Sequence, residues 1–165
     1  MYTNKKDLEI CGLFRRFSAY IVDFFILVIP TFIIHSIVMT FPNTVKGITM
    51  LTDIFLNCSY YGYFLSSHKQ ASIGQILLGM RVIKTDGTKL SFMCSFDRSL
   101  VQFLLPTVMS GITKWQEISN STSPIYYMII YCSTIFYISW YILALFSDKK
   151  QTFHDILYST IVVKR

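Results

Sequence analysis

Charged residues are scarce in this chain. They make up 15% of its 165 residues, whereas soluble domains carry about 25%. Hydrophobic residues make up 53%, and the sequence has 11 tyrosines, a residue that suits the membrane–water interface. This composition excludes an ordinary soluble domain. It predicts an integral membrane protein that forms a single domain over residues 1–165.

The motifs of common enzymes and metal sites are also missing. The sequence has no HExxH, P-loop or dinucleotide fingerprint and no Ser-His-Asp order. The cysteines lie far apart, without the spacing of metal ligands or of a disulfide framework; they are Cys11, Cys58, Cys94 and Cys132. We therefore expect no enzyme activity, no cofactor and no metal site. The first apolar run is too long for a cleaved signal peptide.

Four apolar segments predict transmembrane helices. A helix rises about 1.5 Å per residue, so it crosses a hydrocarbon core of about 30 Å in roughly 20 residues. The predicted spans are approximately 17–39, 50–67, 96–113 and 125–146. The third span begins with Asp97 and Arg98 and contains Gln102 and Pro106. An interfacial or half-inserted helix therefore stays open as an alternative for this segment.

The polar segment 67–96 lies between the second and third spans. Its apolar residues at i, i+3, i+4 and i+7 predict a short amphipathic helix in the membrane interface; they are Ile73, Ile76, Leu77 and Met80. Residues 81–85 then predict a strand, Asp86-Gly87 a tight turn, and 88–92 the return strand of a β-hairpin.

The tail 147–165 ends in the β-prone stretch 160–163, which could add a strand to that hairpin. The predicted fold class is an all-α membrane protein. It has about four transmembrane helices, a short interfacial helix and a small cytoplasmic β-hairpin.

Basic residues predict the orientation in the membrane. An even number of spans places both termini and the segment 67–96 on one side. That side carries all 15 basic residues except Lys46 and Lys114. By the positive-inside rule, both termini are cytoplasmic, and we predict a multi-pass protein of a bacterial plasma membrane. The net charge of +6 then reflects topology and contact with anionic lipids, not nucleic-acid binding.

Asp23 is the only acid or strong base in the first span. A charge inside the hydrocarbon costs about 2.5–3.5 kcal/mol on insertion scales, so a partner is expected to stabilise it. Arg16 lies seven residues earlier on the same helix face, and Arg98 from another helix is a second candidate partner. Asp53, in the second span, is expected either in water at the outer boundary or on an inward face. His35 is expected to have no special role.

Three blocks of the sequence resemble the RDD family of small multi-span membrane proteins. They cover 16–23, 71–92 with Arg98 beyond it, and 153–163. The resemblance implies that Arg16 and Asp23 are the family's first arginine and aspartate and that Asp155 is its second aspartate. It also implies a role in transport of undetermined ligands. Sodium/proton exchange is attributed to some members of the family. Gln75 departs from the basic residue expected there in many members.

The candidate site is a charge cluster on the cytoplasmic side, formed by Arg16, Asp23, Arg98 and Asp155. One interpretation is a buried ion-pair cluster that fixes the helices and the tail, and such a cluster need not stabilise strongly. The other is that Asp23 alternates between a proton, a cation and an arginine partner. His154 is either a proton relay to Asp155 or a surface or interfacial histidine.

Two functions are compatible with these features. The first is a small transporter or cation/proton exchanger that uses Asp23, with a small cation or a proton as its ligand. It would be oligomeric, because four helices leave little room for a pathway. The second is a non-catalytic membrane subunit or scaffold. In that case the charge cluster is structural, and the cytoplasmic hairpin and tail bind a partner protein.

Overall fold

The computed structural model describes residues 9–38, 40, 48–119 and 123–165 and is mostly helical. In chain order its elements are α1 (Leu13–Val38), α2 (Ile48–Ser66), α3 (Ile73–Leu77), β1 (Met80–Lys84), α4 (Phe92–Ser119), α5 (Pro124–Phe146), α6 (Phe153–Leu157) and β2 (Thr160–Lys164). Lys46 and the last residue of the first predicted span, Met39, lie outside the described residues.

Two helices in the described part of the chain are long and apolar enough to cross a membrane. They are α1 and α5, which match the first and fourth predicted spans, and most of their apolar side chains are exposed, as in helices that face lipid. Helix α2 matches the second predicted segment. Helix α4 extends beyond the third predicted segment at both ends and continues through Pro106. By length and composition, two of the four predicted segments therefore qualify as spans.

Helices α2 and α4 pack side by side in opposite directions. Near one end of the pair, a Cβ atom added to Gly62 would lie 3.2 Å from the ring of Phe92. Near the other end, a Cβ on Gly111 would lie 2.9 Å from the sulfur of Met50. Small residues let helix backbones approach closely in membranes. The glycines therefore let α2 and α4 form a close interface at both ends of the pair.

Strands β1 and β2 form an antiparallel pair in which Met80 lies opposite Lys164 and Lys84 opposite Thr160. The prediction that the tail adds a strand is therefore confirmed. The predicted β-hairpin of 81–85 with 88–92 is wrong. The turn itself forms, with Gly87 at φ +89°, but 88–91 contains no strand.

The difference has a physical reason. The core accepts Ile161, Val162 and Val163, which are all buried, whereas 88–91 contains Thr, Lys and Ser and contributes one buried side chain, Leu90. The other edge of β1 is also engaged, because the N–H of Val82 donates to the carbonyl of Gln70 over 2.7 Å.

We call α3, β1, α6 and β2 the cap, because they gather at the ends of the long helices. One cluster of buried apolar residues joins the cap to the helices. It includes Val82 and Val162 from the strands, and Ala19, Leu65 and Phe103 from α1, α2 and α4. The predicted short helix forms as α3, Ile73–Leu77, and its location in the membrane interface stays a prediction. The cap therefore packs directly on the helix ends where Arg16 and Arg98 lie.

Candidate functional site

Asp155 stands at the centre of the cap. Helix α6 begins after Thr152, and Asp155 is three residues further on, the spacing of a capping box. Asp155 Oδ2 accepts from the Thr152 backbone N–H at 3.3 Å and from the Thr152 hydroxyl at 2.9 Å. The hydroxyl of Thr160, at the start of β2, donates to Oδ1 at 3.0 Å. These hydrogen bonds from neutral groups thus hold the carboxylate of Asp155 in place independently of its charged partners.

Two arginines from separate helices meet at Asp155. Arg16, on the first turn of α1, lies 3.0 Å from Oδ2 through Nη1. Arg98, on α4, reaches Oδ1 through Nη2 at 2.5 Å and through Nε at 3.2 Å. The structure therefore brings together three of the four predicted cluster residues. We call Arg16, Arg98 and Asp155 the clamp, because they tie the tail to two helices.

The charges of the clamp do not cancel. Burial alone would raise the pKa of Asp155, but the positive charges of Arg98 and Arg16 hold it well below its usual value. Asp155 is therefore ionised, and two arginines against one carboxylate leave a net charge of +1.

His154 adds no charge near neutral pH. Burial, and then the nearby charge of Arg98, lowers its pKa to about 3. Its Nε2 lies 2.9 Å from the Thr152 hydroxyl. A neutral histidine of this kind weighs against the predicted proton relay, and it is buried, not at the surface.

Asp23 lies outside the clamp. Oδ1 accepts from the hydroxyl of Tyr60 and the N–H of Gly74, both at 2.7 Å. Oδ2 accepts from the hydroxyls of Ser72 at 2.6 Å and Tyr61 at 3.3 Å. Four donors match the roughly four lone-pair sites of a carboxylate.

The expected pairing of Asp23 with Arg16 or Arg98 is wrong. No ion pair in the described part of the chain includes Asp23. The physical reason is that both arginines pair with the ionised Asp155. Neutral donors from α2 and from the start of α3 occupy the acceptor positions of Asp23.

The Asp23 site depends on the close approach of α3 to α1. A Cβ on Gly74 would lie 2.2 Å from the carbonyl oxygen of Ala19, so glycine is required there. Ser72 caps α3, and Gln75 completes a capping box, because its Oε1 accepts from the Ser72 N–H at 3.0 Å. This explains why a side chain with an acceptor oxygen suits position 75, since a basic side chain could not accept this hydrogen bond. The Ser-x-x-Gln spacing predicts a capping box at the start of a helix. No local pattern in the sequence indicates that Ser72 also binds Asp23.

A cavity of about 550 Å³ lies between α1 and α5, above the clamp. Its base includes the three clamp residues, with Asp23 and His154 beside them. Its walls are aromatic and aliphatic, and they include Phe17, Tyr20, Tyr137, Ile138, Tyr141, Ile142 and Leu145. This volume lies within the range of about 300–1,000 Å³ typical of small-molecule sites. All four predicted cluster residues therefore border one cavity, although they do not form one ion-pair network.

A second polar contact was not predicted. His35 Nε2 on α1 lies 2.9 Å from Asp53 Oδ1 on α2, at the far end of the helices from the cap. Both side chains are about a quarter exposed, so Asp53 is neither fully in water nor fully buried. His35 therefore does have a partner, contrary to the expectation that it has no special role. The two residues are eighteen positions apart in the sequence, so local spacing did not indicate that they are in contact.

These features define a small helical domain that fits a membrane location, with a charged cap on its helix ends. The family model described as "RDD family" matches residues 10–159. The chain belongs to the RDD family, which confirms the resemblance noted in its sequence. It is also similar to a protein of Bacillus subtilis (strain 168) named "Uncharacterized protein YxaI". The two are 30% identical over 173 aligned positions, which cover 92% of this chain and 95% of the relative.

Proposed function

We propose that this protein is a small membrane transporter in which the cavity between α1 and α5 is the substrate chamber. The cavity is the observation that supports the proposal, because it combines an ionisable base with walls on the two most apolar helices. A membrane protein with no binding role would be expected to fill such a space with side chains, since protein interiors are closely packed.

The proposed topology has four spans, formed by α1, α2, α4 and α5, with both termini and the cap in the cytoplasm. Two features support the inclusion of α2 and α4. The two helices pack closely at Gly62 and Gly111, and Asp53 of α2 is paired with His35 of α1. The distribution of basic residues in the sequence supports the orientation.

Asp23 is the proposed site for a coupling proton or small cation. It is the carboxylate within α1 and it borders the cavity. Binding of either ligand would replace one of its four donors, and the hydroxyl of Tyr61 at 3.3 Å is the longest of these contacts. Exchange at Asp23 therefore requires a small rearrangement of α2, not the release of an arginine.

Flux measurements test this proposal. Purified protein in proteoliposomes is expected to move protons or Na⁺ above the level of empty vesicles, and Asp23→Asn is expected to abolish the flux. Asp86→Asn, which changes an exposed loop carboxylate, is the matched control and is expected to retain it. Size-exclusion profiles of all three proteins show whether they are folded. Absence of flux from the native protein under pH, Na⁺ and K⁺ gradients would reject the transporter.

A second candidate is a non-catalytic membrane subunit. The clamp favours it, because both acids in the site are satisfied by protein groups. The tail strand is enclosed in the cap, so partner binding would use the exposed Ile156 and Leu157 of α6. Replacing both with Asp, and not deleting the tail, tests this candidate. Loss of a co-purifying membrane protein from this variant, together with absence of flux from the native protein, would support it.

A further inference from the structure

We infer that the cavity binds an anionic phospholipid, with the acidic head group at Arg16 and an acyl chain between α1 and α5. This inference names the ligand class of the same chamber and in that sense rests on the proposed function. Three observations carry it: the charge at the base, an unpaired donor on Arg16, and the chemistry of the walls.

The most accessible charge at the base of the cavity is that of Arg16, whose side chain is 11% exposed, against 5% for Arg98 and 1% for Asp155. Arg16 and Arg98 share one carboxylate, Asp155. Asp23 also borders the cavity, but it is only 1% exposed and its oxygens accept from four donors. An anion at the base would therefore meet arginine before it met a free carboxylate oxygen.

Arg16 also has hydrogen-bonding capacity to spare. Its Nη1 binds Asp155 and its Nη2 makes a long 3.4 Å contact with the carbonyl of Val162. Its Nε is buried and has no hydrogen-bond partner within the described ranges. A buried donor without a partner costs free energy, and a small turn of the Arg16 side chain towards the cavity would let a phosphate oxygen satisfy it. Arginine suits phosphate because its planar fork matches the geometry of the oxygens.

The walls point to a ligand from the bilayer, not from water. Phe17 and Leu145 line the cavity yet are 61% and 68% exposed, so the cavity is continuous with the apolar outer surface of α1 and α5. On the other side, the base is closed by buried residues of the cap, including Thr152 and Val162. A soluble anion would have to cross an apolar entrance, whereas the acyl chain of a lipid favours one.

Two tyrosine hydroxyls in the cavity could bind the ester or glycerol region of such a lipid. The hydroxyls of Tyr137 and Tyr141 lie 3.0 Å apart and both residues line the cavity. They offer hydrogen bonds to ester or glycerol oxygens, which lie between the head group and the chain. The cavity therefore offers neutral polar groups on α5 as well as the arginine at its base and its apolar walls.

The test compares dioleoyl phosphatidylglycerol with dioleoyl phosphatidylcholine on the full chain in a neutral detergent. Native mass spectrometry is expected to show about fivefold higher occupancy of the anionic lipid at equal concentration, which corresponds to one basic side chain near a lipid head group. Arg16→Gln is expected to remove this preference, so that the two lipids reach equal occupancy. Equal occupancy by the two lipids in the native protein would overturn the inference.

A pair of matched variants locates the binding site. Ile138→Trp fills the cavity from its wall, whereas Ile135→Trp makes the same change on the lipid-facing side of the same helix, outside the cavity. The first is expected to lose the anionic lipid and the second to retain it. Retention by both variants, or displacement of the lipid by equal concentrations of glycerol phosphate, would overturn the inference.

The outcomes for lipid binding and for transport are separable. Selective lipid binding without flux would leave this inference standing and reject the transporter. Flux without lipid selectivity would reject this inference and leave the transporter standing.

Discussion

The protein holds two buried aspartates by different means. Asp155 and Asp23 are each 1% exposed, but Asp155 is paired with two arginines, whereas Asp23 accepts hydrogen bonds from four neutral donors. Asp155 lies in the cap at the helix ends, where long arginine side chains can reach. Asp23 lies further along α1, where an arginine would itself be costly. The comparison indicates that depth along the helix decides whether charge or hydrogen bonding stabilises a carboxylate.

The largest expected effect is from Asp155→Asn. It leaves Arg16 and Arg98 buried without their counter-ion, and removing one partner of a buried ion pair typically costs about 3–5 kcal/mol. We expect a large drop in the thermal unfolding midpoint of the detergent-solubilised protein. Asp86→Asn, on an exposed turn, is expected to leave the midpoint unchanged. An equal midpoint for both variants would show that the clamp does not stabilise the fold.

Asp23→Asn is expected to cost less, about 2–3 kcal/mol. The amide accepts hydrogen bonds through one oxygen only, so its nitrogen faces a donor, and a hydrogen bond to a charged group is worth about 1.5–3 kcal/mol. The same thermal measurement checks the value. If Asp23→Asn destabilised the protein more than Asp155→Asn, neutral donors would be the stronger form of stabilisation and the comparison above would be reversed.

Acidic pH is expected to destabilise the cap through His154. Its pKa is about 3 in the folded protein, against 6.5 when unfolded, so the unfolded chain binds more protons between these values. Stability therefore falls as pH is lowered from 6.5 towards 3, on the order of 2 kcal/mol by pH 5. The lowered pKa of Asp155 acts in the same direction below its unfolded value of 3.8.

His154→Gln is the control for this pH effect. Glutamine retains a polar group near Thr152 but does not titrate, so the fall in unfolding midpoint between pH 7 and pH 5 should become shallower. An unchanged pH profile would mean that His154 is not the group responsible.

The smallest expected effect distinguishes two tyrosines at Asp23. Tyr60 donates at 2.7 Å and Tyr61 at 3.3 Å, so Tyr60→Phe should cost about 1.5 kcal/mol and Tyr61→Phe less. A double-mutant cycle with Asp23→Asn measures each coupling free energy directly. A larger coupling for Tyr61 would contradict the assigned geometry.

Sequence predicted the parts of this molecule that depend on local patterns or on the family resemblance. The apolar periodicity of α3 and the β-prone tail are local, and both elements form. Arg16, Arg98 and Asp155 were named from the resemblance. The donors of Asp23 were not predictable in this way, because Tyr60 and Ser72 come from separate segments and meet Asp23 only after α3 docks on α1.

The predicted β-hairpin shows that a correct local signal can still lead to a wrong strand pairing. Asp86-Gly87 is a strong local signal for a turn, and the turn forms. Which strand pairs with β1 is decided by burial across the cap, and there Ile161, Val162 and Val163 are better partners than 88–91. A local turn signal therefore does not determine strand pairing when a more apolar segment competes. His35 and Asp53 were missed for the same reason, since their contact is not local.

The position of Asp155 along the chain also sets an order for synthesis. Arg16 and Arg98 emerge from the ribosome before α5, and α5 emerges before α6. During insertion into the membrane, both arginines must therefore remain hydrated or associate with lipid phosphates until the tail arrives. The clamp forms only when α6 is in place, because Asp155 is the residue that both arginines pair with. A chain that stops after α5 would leave both arginines without this counter-ion.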